Sequence, residues 1–139
     1  MIRSTIFAVI VTLAALGPRA EAQTIAEADA IENTIRNQIE AMQADDWEKA
    51  FTFASPTIQG IFRNPYNFSE MVKNGYPMVW RPREVRVGEL TQTPRGLMQT
   101  MFFEDQQGRL YIADYLMQEI DGVWRINGVQ IRPAETGEA

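Results

Sequence analysis

The spacing of apolar residues changes once along this chain, from helical to alternating, and that single change decides most of what it can fold into. Ile31, Ile35, Ile39 and Met42 recur at steps of four, four and three, which lines them along one face of a helix. Asp45, with Glu48 three residues on, reads as the N-cap of a second helix whose apolar stripe is Trp47, Ala50, Phe51 and Ala54. Pro56 biases Ser55 away from the helical region, so Ser55 is expected to cap a short helix with Pro56 in its first turn. Ile58, Ile61 and Phe62 are the side of it expected to be buried. Asn64-Pro65 is another break, followed by an amphipathic helix carrying Phe68, Met71 and Val72. Asn74-Gly75 is expected to close it, with the glycine in the left-handed conformation.

From Tyr76 onward, alternation separated by turn residues predicts antiparallel strands over residues 84–90, 97–104, 109–119 and 123–131, with a short fifth over 78–80. Asp121-Gly122 between two apolar runs predicts a two-residue hairpin turn needing positive φ at both positions. Pairing from that turn sets Ile120 against Val123, Met117 against Ile126, Tyr115 against Gly128 and Asp114 against Val129. Trp124, Ile126, Met117, Tyr115 and Tyr111 then share the face turned to the core. Ile112, Asp114, Leu116 and Gln118 share the other with Arg125, Asn127, Val129 and Ile131. The turn over residues 105–108 leaves open which of Phe102 and Phe103 points inward, because a slip of one residue exchanges them.

Helices first and then a meander of long antiparallel strands is an α+β order, with the helices on one sheet face. A curved four- to five-stranded sheet wrapped around N-terminal helices would make an NTF2-like (cystatin-like) cone, and a plain two-layer sandwich fits the same order.

The N-terminus carries the three parts of an export signal: Arg3, an apolar run over residues 6–16 interrupted only by Thr12, and the small-x-small pattern Ala20-Glu21-Ala22. The run is about half of the roughly 20 residues a membrane span needs. Residues 1–22 are therefore expected to be a signal peptide cleaved after Ala22, residues 23–133 one domain, and residues 134–139 a disordered tail. The mature chain would be periplasmic or secreted. Having lost Arg3, Arg19 and Glu21, it carries 11 basic and 17 acidic residues, a net charge of −6. That balance disfavours nucleic acid, and the local cluster Arg81, Arg83 and Arg86 reads as a solvated segment around Pro82. With no cysteine, neither a disulfide nor a lipid anchor after the signal is available, so no membrane association is expected once the signal is gone. Asn67-Phe68-Ser69 matches a glycosylation acceptor, a pattern short enough to arise by chance.

Three stretches together resemble the DUF4864 domain family, which is grouped with NTF2-like proteins. They are residues 38–56 (QIEAMQADDWEKAFTFASP) with Ile58, Gln59 and Phe62 following, residues 68–82 (FSEMVKNGYPMVWRP), and Tyr115 with residues 121–128 (DGVWRING). The resemblance spans nearly the whole mature chain. It implies the fold and no activity, because the family carries none.

Without histidine or cysteine no nucleophile–base triad can be built, and most transition-metal ligands are missing. The glycines stand singly at turns rather than in a phosphate loop, and residues 104–108 are too short and too weakly charged for calcium. No metal site and no cofactor is therefore expected. Enzymes on NTF2-like folds often set an Asp and a Tyr inside the cone for proton transfer of the isomerase or dehydratase kind. Asp114 with Tyr111 or Tyr115 is the candidate pair, but their opposite parity points Asp114 away from the core face. Asp46 beside Trp47 is accounted for by its place at a helix start. The non-catalytic alternative is a module binding a small apolar ligand between helices and sheet, lined by Trp47, Phe51, Phe62, Tyr76, Trp80, Tyr115 and Trp124. The same side chains would equally serve to fill the core. A third expectation is a homodimer, or contact with a protein partner, through an outer stripe of Ile112, Leu116, Val129 and Ile131.

Overall fold

A computed structural model describes residues 17–135, with side chains from residue 24 onward. Five helices precede four strands: α1 Gly17–Gln43, α2 Trp47–Thr52, α3 Pro56–Phe62, α4 Pro65–Gly75, α5 Pro77–Trp80, β1 Glu84–Thr93, β2 Gly96–Glu104, β3 Leu110–Ile120 and β4 Val123–Pro133. The strands form one antiparallel sheet in the order β1-β2-β3-β4, so the fold is α+β. The apolar run at residues 6–16 and the last four residues lie outside the described part, and α1 runs through the expected cleavage position after Ala22.

The apolar stripe of α1, Ile31, Ile35, Ile39 and Met42, is buried against Met101, Phe103, Ala113, Tyr115 and Met117 of the sheet. Its C-terminus shows why the second helix starts one residue later than Asp45 and Glu48 suggest. Asp45 takes a left-handed φ of 57°. Its N–H reaches Met42 O at 3.0 Å, while the Asp46 N–H reaches Ala41 O at 2.9 Å, the paired bonds that close a helix. Asp46 is then the cap of α2, its carboxylate accepting from Lys49 N at 3.2 Å. Freed from capping, the Asp45 carboxylate accepts from Trp80 Nε1 at 3.0 Å and from the Arg81 guanidinium at 3.0 and 3.2 Å, tying the end of α1 to α5.

Ser55 caps α3 through Ile58 N, with Pro56 in the first turn, as expected. No residue of α3 is fully buried, however, and Ile61 is 64% exposed, because only one edge of this helix meets the sheet. α4 is capped by Asn64, and Gly75 closes it without adopting positive φ; the Tyr76 N–H bonds back to Val72 O instead. Residues 77–80 form a helical turn rather than a fifth strand. Pro77 supplies its first position, and the turn lets the adjacent Met78 and Val79 both be buried, which a pleated strand would forbid.

Asp121 and Gly122 have φ of 52° and 77°, the two positive values the hairpin demands. Pairing follows the expected register from Ile120↔Val123 to Met117↔Ile126 and then slips by one, to Leu116↔Gly128, Tyr115↔Val129 and Asp114↔Gln130. Asn127 is the extra residue of this bulge, and Asn127 Oδ1 accepts from Ser55 Oγ at 2.7 Å. Next to it Ala54 bridges to Ile126, with Ser55 N donating to Ile126 O and Ile126 N to Phe53 O, both at 2.8 Å. The slip reverses parity downstream, so Val129 and Ile131 fall on the helix-facing side with Tyr115 and Ala113. The outer stripe expected for pairing of two copies is thereby divided between the two faces, and Ile112 and Leu116 are already covered within the monomer.

β1 has a second bulge between Val87 and Leu90. The buried Gln99 secures it, donating from Nε2 to the carbonyls of Gly88, Glu89 and Thr100 at 3.0 to 3.3 Å. Phe103 is the inward phenylalanine, and Phe102 lies on the outer face under the Arg86 guanidinium, 5.3 Å from its ring centre. In the β2–β3 turn the buried Asp105 accepts from the N–H groups of Gln107 and Arg109 and from Arg109 Nε, at 2.8 to 3.0 Å. Burial works to raise its pKa, but the bonds from Arg109 and Gln107 outweigh it, and the carboxyl sits below its ordinary 3.8. A group depressed on folding contributes stability that is full above the ordinary value and lost as pH falls through the folded one. Asp105→Asn should therefore lower the urea midpoint at pH 7, and the gap from the parent should narrow below about pH 4. A gap independent of pH would show that the charge contributes nothing.

Candidate functional site

The helices cover the sheet unevenly. Between α1, α3, α4 and β4 they leave a cavity of about 340 Å³, open at one end. Buried side chains form its inner part: Gln38 and Met42 from α1, Phe68 and Val72 from α4, Tyr115 from β3 and Ile126 from β4. Half-buried and exposed ones ring the mouth: Ile58, Phe62, Met71, Tyr76, Val129 and Ile131. No residue of the lining carries a charge. The β4 bulge is what builds the strand side of the cavity, since without the slip at Asn127 neither Val129 nor Ile131 would face it.

Of the residues singled out in the sequence for an apolar site, Phe62, Tyr76 and Tyr115 line this cavity. Phe51 lies in the core, its ring 5.7 Å from Phe68. Trp47 and Trp80 sit outside the cavity and pack against each other at 6.3 Å, with Lys73 Nζ 5.4 and 5.5 Å from the two rings. The Arg81 guanidinium stands 4.5 Å from the outer tryptophan ring, at Trp80. Trp124 packs at the hairpin end of the core, its carbonyl accepting from Thr34 Oγ1 at 3.3 Å, and it too is outside the lining.

Asp114 stands on the outer face, where its Oδ1 accepts from Thr100 Oγ1 at 2.8 Å and its cross-strand neighbour is Gln130. Asn127 and Arg125, expected on the same face, are engaged elsewhere, Asn127 with Ser55 and Arg125 with Thr52 O. Tyr115 is on the opposite face and 1% exposed. Its hydroxyl is buried with no hydrogen-bond partner among the described residues, and burial pushes its ionisation well above the ordinary phenol range. Tyr115 is thus held neutral. The carboxylate and the phenol stand on opposite faces of the sheet. Among the described residues no three His, Cys, Asp or Glu side chains gather into a metal site, and no helix is long and apolar enough to cross a membrane.

Gln38, Met42, Phe68, Val72 and Ile126 carried a sequence signal only as stripe or strand residues, because the features that mark a wall of a cavity are those that mark a core. Val129 and Ile131 were assigned outward for want of the bulge. A polar Gln38 between Ile35 and Ile39 on the buried face of α1 is the one feature in the sequence that hints at something beyond packing.

Fold and cavity together define a small α+β domain with a half-enclosed apolar interior, of the shape compatible with an NTF2-like architecture. The family model described as "Domain of unknown function (DUF4864)" matches residues 24–139, and the chain belongs to that family. No curated protein and no solved structure matches the chain.

Proposed function

We propose that this is a non-catalytic binding module, exported to the periplasm or secreted, that holds a small apolar molecule in the cavity between α1, α4 and the sheet. The observation that carries it is the cavity itself: about 340 Å³ of space with an uncharged, mainly aliphatic and aromatic wall. That volume falls in the lower part of the range of ligand sites, roughly 300–1,000 Å³. At about 30 Å³ for a water-sized group it has room for roughly ten heavy atoms. Interiors otherwise pack with few voids larger than a water molecule, so a space of this size with an open end supports occupancy over incomplete packing.

Val129 is the residue through which to test it, because it is 39% exposed at the mouth and its side chain faces Tyr115 across the β3–β4 ladder. A tryptophan there keeps strand propensity and occupies the opening. Native mass spectrometry of the protein purified from its own compartment should show a bound small molecule, and Val129→Trp should lose it, an affinity drop of at least about tenfold. The reading fails if the parent protein carries no added mass and no apolar compound of this size raises its melting temperature.

A further inference from the structure

We propose that the open edge of β4 receives an extended peptide of the pattern apolar-x-apolar, paired antiparallel to the main chain of Val129 and Ile131, with its two apolar side chains turned toward the cavity mouth. This goes beyond the reading above, because it stands on the backbone of β4 and not on the interior of the cavity, and either can fail without the other.

β4 is an edge of the sheet, so β3 pairs with only one side of it. The bonds at its two ends fix which groups point to the free side. At one end Ala134 N donates to Leu110 O at 2.9 Å, so the main chain of Ala134 turns toward β3. At the other, Ile126 N and O bond to Phe53 and Ser55, away from β3. The two directions alternate along an antiparallel strand, and the bulge at Asn127 takes up the odd residue. Gly128, Gln130 and Arg132 therefore bond to β3. The N–H and C=O groups of Val129 and Ile131 face the free side, with no hydrogen-bond partner among the described residues. The Ala54 bridge closes this window at Ile126, and Pro133, which has no N–H, closes it at the other end. β1, the other edge of the sheet, is interrupted by its own bulge.

Two donors and two acceptors at a two-residue spacing are what an added antiparallel strand satisfies. Residues bonded across such a pair share a face. The two bonded residues of the peptide therefore project beside Val129 and Ile131, at the cavity mouth, and the residue between them projects over the outer face beside Gln130. A groove already follows this edge. It is lined by Val129, Gln130, Ile131 and Arg132, with Tyr76 on the helix side and Asp114 on the outer side, and it shares Tyr76, Val129 and Ile131 with the cavity. A second copy of the chain does not fit it. The two-fold pairing that would satisfy all these groups centres on Gln130 and sets Ala134 opposite Ile126 of the other copy, the place that copy's own Ala54 already holds. A peptide spanning Gly128 to Arg132 ends short of it.

The probe is acetyl-Thr-Val-Thr-Val-Thr-amide, titrated into the isotope-labelled chain purified after export, with amide exchange followed by NMR. In the free protein, exchange is expected to be faster at Val129 and Ile131 than at Gln130 and Arg132, and the peptide should slow the first pair at least about tenfold. A version N-methylated at both valines keeps the side chains and loses half of the bonds, and should bind at least about tenfold more weakly. A Thr-Ser-Thr-Ser-Thr version keeps the bonds and loses the apolar side chains, and should also bind about tenfold more weakly. Equal binding of the N-methylated version would overturn the backbone pairing, and equal binding of the serine version would overturn the apolar pattern. Protection of Val129 and Ile131 that rises with protein concentration and needs no peptide would give the edge to a second copy and overturn the proposal. No change at either amide with about 1 mM peptide would overturn it too. The small molecule co-purifying with the parent is read separately by native mass spectrometry, so that outcome leaves the cavity reading standing.

Discussion

Phe103→Ala is expected to cost about 3–5 kcal/mol. Phe103 is 0% exposed and sits on the helix-facing side of β2, between Val85 and Tyr111 on the neighbouring strands and within the same cluster as Ile31, Ile35 and Ile39 of α1. Removing its ring takes away buried area and leaves a void bounded by strands on both sides, which can relax only by bending the sheet. Domains of this size are stable by about 5–15 kcal/mol, so the variant should melt at least about 10 °C lower. Phe102→Ala is the internal control. Its ring lies half-exposed on the outer face, and its loss should cost less than half as much. Urea unfolding of the two variants decides the matter, and equal losses would mean that the register of β2 is wrong.

The second large effect concerns Gly88 in the β1 bulge. A Cβ there would lie 2.8 Å from Phe102 Cε2, 3.1 Å from Thr100 O and 3.2 Å from Thr100 Cγ2. The ring can swing aside, but Thr100 O is backbone and already accepts from Gln99 Nε2 at 3.0 Å. Gly88→Ala must therefore move the bulge or the ladder, at a cost of about 1–3 kcal/mol. Gly60→Ala provides the contrast: its Cβ meets nothing within 4 Å and it stands within α3, so the same chemical change should stabilise by up to about 1 kcal/mol. Pairing Gly88→Ala with Phe102→Ala should recover part of the loss. No recovery would assign the whole strain to Thr100.

Much of the fold was legible because it is written in local chemistry. Ser55-Pro56, Asn64-Pro65 and Asp121-Gly122 each act through their own backbone, and all three form the caps and turn that their residue types demand. The α1 stripe was legible through its period. What escaped were features decided by tertiary partners. Asp45 takes a left-handed conformation that glycine usually fills, and its carboxylate is claimed by Trp80 and Arg81, 35 and 36 residues away. The slip in β4 is stabilised by Ser55 and Phe53, which no pattern within residues 123–133 records. That one unrecorded slip misassigned Val129 and Ile131, and with them the strand side of the cavity. The aromatic residues chosen for a pocket were the large ones, whereas the walls of the space are mostly aliphatic and drawn from the same inventory as the core.

How the ladder absorbs the extra residue at Asn127, as well as composition, determines this domain's interior. Zipped in simple alternation through Asn127, the last strand would turn Val129 and Ile131 out to water and Gln130 inward. Removing the residue altogether would keep Gly128 opposite Leu116 and Val129 opposite Tyr115 with no bulge. A homologue one residue shorter at this point would therefore keep its chamber and lose only the tie from Asn127 to Ser55.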